Sequence, residues 1–197
     1  MKKQILIVGS GFSGMWAAVS AARLSALEGN NSLSIAVLAP VAELRVRPRF
    51  YEENVSSMVA PLTELFAELG IAFIAGEAQR IDTSSKTVLY RDSNGAIAEV
   101  AWERLILATG SQTKRPPVAG LAEYAFDIDQ HDSARLFEQH LDSLVSRPST
   151  PERNTVVVCG GGFTGIELAT ELPARLRTRF GADTKTKVIV VERGATI

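Results

Sequence analysis

The pattern Gly-x-Gly-x-x-Gly occurs twice, as Gly9-Ser10-Gly11-Phe12-Ser13-Gly14 and as Gly160-Gly161-Gly162-Phe163-Thr164-Gly165. In a chain of 197 residues with 15 glycines, one match is a weak signal, because ordinary glycine turns produce it. Two matches in the required context are a strong one. Ile5-Leu6-Ile7-Val8 and Thr155-Val156-Val157-Val158-Cys159 are short apolar, β-branched runs that read as buried parallel strands. Each glycine motif is followed by a helical stretch. Ala17, Ala18, Ala21 and Ala22 favour helix after the first and permit close approach to a sheet, and Ile166, Leu168, Ala169 and Leu172 serve the second. Pro173 is expected to kink or reset that second helix.

In such a strand-to-helix corner the first glycine permits the tight turn. The second lets a pyrophosphate reach the backbone, and the third lets helix and strand pack closely. Free backbone N–H groups and the helix dipole then hold the anion. Two dinucleotides are therefore expected.

With 46% hydrophobic residues the chain can bury a core of one or two domains. A formal net charge of -1 gives no long-range attraction to nucleic acid or to an anionic membrane. Lys2 and Lys3 precede an apolar stretch that Gly9 interrupts too soon for a leader or a spanning helix, so a cytoplasmic location is expected. The single Cys159 leaves no internal disulfide and no redox pair, and its place at the end of a strand reads as an inert core thiol. His131 and His140 have no Cys or spaced His partner and read as surface groups, so no metal site is expected.

Leu33 to Leu38 reads as a second parallel strand, reached through the turn-rich run Glu28-Gly29-Asn30-Asn31-Ser32. Pro61 to Leu69 has helical spacing, stopped by Gly70, and Ile71 to Ile74 reads as the next strand. Three short strands then form an antiparallel meander, Glu77 to Ile81, Thr87 to Arg91 and Ile97 to Trp102. Leu105-Ile106-Leu107-Ala108 returns to the parallel sheet and delivers Thr109-Gly110 at its carboxyl end, where open α/β sheets bind ligands. A proline-rich connector follows, then an amphipathic helix over Ser133 to Val145. A last strand covers Val188 to Val191.

The fold class is α/β, with two Rossmann-like doubly wound parallel-sheet units. The first carries the small antiparallel meander and the second is incomplete. Residues 1–112 form the first unit, 113–154 the connector and helix, and 155–197 the start of the second.

In a Rossmann unit an acid at the end of the second strand binds the adenosine ribose. The second unit supplies Glu192, which favours NADH over NADPH by repelling a 2′-phosphate, although Arg193 is adjacent. The first unit ends its second strand in Val37-Leu38-Ala39-Pro40, with no acid nearer than Glu43. Ribose binding there uses backbone groups or Glu43, or is weakened.

The glycine motif at Gly9, the Leu107-Ala108-Thr109-Gly110 segment and the GxGxxGxE run from Gly160 to Glu167 occur in an order that resembles the FAD-dependent pyridine nucleotide-disulfide oxidoreductase superfamily. Arg47-Pro48-Arg49-Phe50-Tyr51-Glu52 and the run Gly162 to Leu172 resemble its type II NADH dehydrogenase branch. This resemblance implies FAD and NAD(H) as cofactors. It puts Gly9, Gly11, Phe12, Ser13 and Gly14 at the FAD pyrophosphate, Thr109 and Gly110 at a second flavin contact, Ala78 at the adenine, and Arg47 and Pro48 near the flavin. It puts Gly160, Gly162, Phe163, Thr164 and Gly165 at the NADH pyrophosphate, Glu192 at its ribose, and Glu167 near the nicotinamide as the candidate catalytic side chain. The structural alternative for Glu167 is a helix carboxylate stabilised by the dipole.

The implied reaction is hydride transfer from NADH to FAD, followed by electron delivery to a quinone or a similar small acceptor. Without a cysteine pair, disulfide reduction is excluded. Family members run to about twice this length, so the resemblance implies an amino-terminal half, with peripheral membrane contact through a segment outside it and a homodimer left open. A reductase of a protein acceptor such as ferredoxin, and a nucleotide-binding module without catalysis, remain as alternatives.

Overall fold

The computed structural model describes residues 3–30 and 32–194. Lys2 and Asn31, used above, lie outside the described residues. The chain divides into two compact units, one comprising the chain up to Arg45 together with Val59–Ser111, the other Val46–Met58 together with the chain from Gln112 onward.

The first unit is built on a six-stranded sheet. Strand β1 (Lys3–Val8) runs into helix α1 (Phe12–Leu27), then β2 (Leu33–Ala39). A short antiparallel pair, β3 (Glu43–Arg45) with β4 (Val59–Pro61), precedes helix α2 (Thr63–Glu68). Strands β5 (Ala72–Asp82), β6 (Thr87–Asp92), β7 (Ile97–Ala101) and β8 (Arg104–Leu107) complete it. The order is β7-β6-β5-β2-β1-β8, parallel from β5 through β8 and antiparallel across β5, β6 and β7.

Leu6, Ile7, Val37 and Leu38 are fully buried, which is why β1 and β2 read as continuous apolar runs and not as alternating ones. On one face Ile7, Ile35 and Val37 meet Met15, Ala18 and Ala22 of α1 and Phe66 of α2. On the other, Leu6, Val8, Ala36 and Leu38 meet Val88 of the meander. Each such Leu, Ile or Phe contributes about 1.5–3 kcal/mol by leaving water.

One boundary differs from the sequence reading. The separate strands expected at Ile71 to Ile74 and Glu77 to Ile81 are a single 11-residue strand. Its first residues pair in parallel with β2, and those from Gly76 onward pair antiparallel with β6, with a bulge between Ala78 and Arg80. Gly76 marks close approach and not an end, because a Cβ there would lie 2.5 Å from the Tyr90 ring.

The second unit holds helix α3 (Leu121–Tyr124), helix α4 (His131–Ser143), strand β9 (Thr155–Cys159), helix α5 (Phe163–Phe180) and strand β10 (Lys187–Val191). Strands β9 and β10 pair in parallel, Thr155 opposite Lys187. The excursion Val46–Met58 joins this unit through two 3-10 turns, Arg47–Arg49 and Val55–Met58. Its Phe50, Val55 and Met58 pack with Ala134 of α4.

Three readings are corrected here. Helix α5 continues through Pro173, so the helix is not reset there. Leu172 and Leu176, both fully buried against Phe137, Leu141 and Val158, hold the helix against a proline cost of about 3 kcal/mol. Cys159 is exposed and not a core thiol. Side chains alternate along β9, so Val158 faces the helices while Val157 and Cys159 occupy the face that, among the described residues, stays open. The histidines pack on aromatic rings. The His131 ring lies edge-on to Phe50 at 5.7 Å, and that of His140 is 4.7 Å from Phe126.

The corner geometry generates a stability prediction. A Cβ on Gly14 would lie 1.9 Å from the Gly9 carbonyl oxygen, whereas one on Gly11 meets nothing within 4 Å. Gly14→Ala is expected to lower the unfolding free energy by about 1–3 kcal/mol. Gly11→Ala, at the helix N-cap, is expected to cost less than about 1 kcal/mol. Urea unfolding of the two variants against the parent chain checks the difference.

Candidate nucleotide-binding site

The two glycine motifs form two matching corners, one in each unit. In the first, Gly9 leaves β1 at φ +110, a conformation that L side chains rarely adopt. A Cβ on it would also meet the Ala108 carbonyl oxygen at 2.2 Å. Gly14 presses on the Gly9 carbonyl from the first turn of α1. Between them Gly11 is the N-cap, with extended backbone, and a Cβ there would enter free space.

The second corner repeats this role by role. Gly160 has φ +115, Gly165 would put a Cβ 2.0 Å from the Gly160 carbonyl oxygen, and Gly162 is an extended N-cap with nothing within 4 Å. The geometry follows the division of labour that a pyrophosphate-binding turn requires, with open space at the second glycine of each corner.

Within the first unit the corner brings together Gly9, Gly11, Phe12, Ser13 and Gly14 at the start of α1. Ala108, directly after β8, packs on Gly9 and Gly14 and sets Thr109 and Gly110 beside them, Gly110 with φ +72. Ala78 lies on β5, opposite Tyr90 and next to the bulge. Ser10 is a residue that sequence reasoning passed over. Its buried hydroxyl donates to the carbonyls of Val41 (2.9 Å) and Glu43 (3.2 Å), tying the turn after β2 to the glycine loop. The Glu43 carboxylate pairs with Arg45 at 3.2 Å. The backbone of this turn therefore lies where an acid would be expected.

In the second unit Glu192 follows β10 directly and turns back to the glycine loop. Its Oε2 accepts the Gly161 N–H at 2.6 Å, and its Oε1 accepts those of Arg193 (2.7 Å) and Gly194 (3.0 Å). The bond from Gly161, then those from Gly194 and Arg193, hold its carboxyl below the ordinary carboxylate range. Phe163 and Thr164 open α5, Phe163 being 93% exposed. Glu167 is the fifth residue of α5 and exposed, beyond the first turn in which the dipole acts most strongly.

Arg47 and Pro48 lie in the first 3-10 turn of the excursion. The Arg47 guanidinium is paired with Asp129, its Nε at 2.9 Å from Oδ1. The other oxygen of Asp129 accepts the Thr113 N–H at 3.1 Å and the Gln130 amide at 3.0 Å. Partial burial pushes the Asp129 carboxyl upward, but the bonds from Arg47, Gln130 and Thr113 outweigh that and hold it below its usual value. No local signal marked Asp129, because its partner is 82 residues away. Among the described residues no cluster of three or more His, Cys, Asp or Glu could hold a metal ion. None of their helices is long and apolar enough to cross a membrane.

Residues 3–197 match the family model described as pyridine nucleotide-disulphide oxidoreductase. The chain belongs to that family. The members of that family are FAD- and NAD(P)-dependent oxidoreductases. It is 37% identical over 195 residues to an NADH dehydrogenase-like protein of Mycobacterium tuberculosis, covering 96% of this chain and 47% of that protein. With the demethylphylloquinone reductase of Synechocystis it shares 30% over 201 residues, covering 100% of this chain and 48% of the relative. The chain spans about half the length of the curated relatives it matches. The fold is that of the NDH2 of Plasmodium falciparum solved in complex with NADH, with a TM-score of 0.82 at 17% identity over 98% of this chain and 42% of that one.

The bonds to Glu192 predict a pH response. A depressed folded pKa means that the carboxylate's bonds contribute fully above the ordinary carboxylate value of about 4.3 and are lost as pH falls through the lower folded value. The amide signal of Gly161, followed by NMR, is expected to titrate with a midpoint below that of exposed glutamates, and Glu192→Gln is expected to remove the transition.

Proposed function

We propose that the chain carries both nucleotide seats of a flavin-dependent NADH dehydrogenase whose electrons go on to a quinone. The observation that carries this reading is the repeated corner. In each, the first and third glycines are demanded by backbone contacts or positive φ, and the second by nothing in the protein itself. A residue kept free of a side chain beside a helix N-terminus, with no packing reason, fits a ligand that approaches the backbone.

The first corner, with Thr109 and Gly110, would hold the FAD pyrophosphate, and Ala78 would lie toward the adenine. The second would hold the NADH pyrophosphate on Gly160, Gly162 and Gly165, with Phe163 and Thr164 at the helix start. Glu192 would take the adenosine ribose, exchanging its bond from Gly161 for ribose hydroxyls. Its ionised carboxylate opposes a 2′-phosphate and favours NADH.

When bound, the flavin supplies the capacity to accept a hydride from NADH and to release electrons to the acceptor. The chain's own residues orient, and no side chain needs to move a proton in the hydride step. Arg47, fixed by Asp129, and Pro48 would lie toward the flavin, and Glu167 toward the nicotinamide. Quinone is favoured as acceptor by the activity named for the Synechocystis relative.

Gly11→Val tests the first seat and Gly162→Val the second, since each adds a side chain only where the ligand would sit. Gly11→Val is expected to weaken FAD retention by on the order of 100-fold, about 2.7 kcal/mol, and to leave NADH binding intact. Gly162→Val is expected to do the reverse. Purified protein is assayed for flavin absorbance and by calorimetric titration with NADH. Full retention of the cognate nucleotide in either variant overturns that seat. Replacement of NADH by NADPH is expected to weaken binding by about tenfold or more.

A further inference from the structure

Helix α5 connects two things. Its first residues lie within the Gly160–Gly165 motif, and its fourth and fifth turns grip the excursion Val46–Met58. The grip centres on Arg175, whose side chain is 1% exposed and lies over the Phe137 ring, 5.6 Å from its centroid. Its Nη1 donates to the Tyr51 carbonyl at 2.8 Å. Its Nε and Nη2 have no hydrogen-bond acceptor among the described residues, and the closest carboxylate oxygen to Nη2, on Glu138, is at 3.7 Å.

The same Glu138 carboxylate accepts the Asn54 N–H at 2.6 Å. One turn further along α5, Arg179 pairs with Glu53 and, at 2.7 Å, with Asp142. A buried guanidinium with two unmatched nitrogens is unfavourable compared with an apolar side chain of the same volume. Leu172 and Leu176 show that this part of α5 accepts apolar residues in its core. Arg175 thus gives up stability in order to hold a carbonyl of the excursion.

We propose that Arg175 is a positioning residue, which makes the excursion carrying Arg47 and Pro48 a mechanical part of the helix that begins at the second nucleotide loop. Occupation of the Gly160–Gly165 loop then tightens residues 47–58. The coupling needs no displacement of either element, because ordering α5 at its start lowers the freedom of what its later turns hold. The tightening by ligand rests on the reading of that loop as the NADH seat. The grip itself does not.

Amide hydrogen exchange on the whole 197-residue chain tests both parts. Without ligand, Arg175→Met is expected to speed exchange at Phe50, Glu52, Asn54 and Ser57 by at least about tenfold, while the amides of β9 and α5 keep their rates. Arg175→Lys, which can still donate to Tyr51, is expected to restore part of the protection. Glu138→Ala, which leaves Arg175 in place, is expected to release Asn54 alone.

With NADH, the parent chain is expected to gain protection in 160–167 and in 47–58 together, and Arg175→Met only in 160–167. Unchanged ligand-free exchange at 47–58 in Arg175→Met, or equal loss across the unit in both Arg175 variants, overturns the grip. Protection at 160–167 without any at 47–58 in the parent chain overturns the relay. Absence of protection at 160–167 overturns the NADH reading, and the relay with it, while the ligand-free comparison still decides the grip.

Discussion

Each nucleotide corner depends on a helix that starts almost in contact with the turn from which it came. In the first, the third glycine sits against the carbonyl of the first so closely that a methyl group would overlap it at 1.9 Å, and the second corner repeats this at 2.0 Å. Such closeness aims the first-turn N–H groups of α1 and α5 past the end of their strands, and the space beside the middle glycine results. The buried strands β1 and β2, fixed from both faces, provide the rigid base that the first corner needs.

The corners differ in how their second strand ends. Glu192 after β10 folds back on its own glycine loop and is locked there by three backbone N–H groups. After β2 the chain offers no acid, and Ser10 inside the first motif ties the following turn down instead. One loop is therefore held by a strand-end carboxylate, the other by a hydroxyl bonded to main-chain carbonyls. Under the proposed function, this asymmetry suits an NADH that exchanges at the second seat and an FAD that stays at the first.

Most of the parallel framework was legible because its strands are short apolar runs and two of them, β1 and β9, end in glycine motifs, a pattern set by local chemistry alone. Gly76 misled, since a glycine that admits a neighbouring ring looks in sequence like one that ends a strand. Pro173 and Cys159 misled for a related reason. Whether a helix survives a proline, or a strand-end thiol is covered, depends on what packs against it. The Arg47–Asp129 pair and the grip of Arg175 on Tyr51 were invisible because they join residues 82 and 124 positions apart. Side-chain contacts of that span carry no spacing rule.

The central claim, that each corner cradles its own dinucleotide, is tested most directly by following backbone amide shifts of the chain during successive titrations. FAD is predicted to move the signals of residues 11–14 and 109–110, and NADH then to move those of residues 160–165 together with Glu192. Shifts that spare the glycine loops, or a single nucleotide that moves both loops alike, would contradict it.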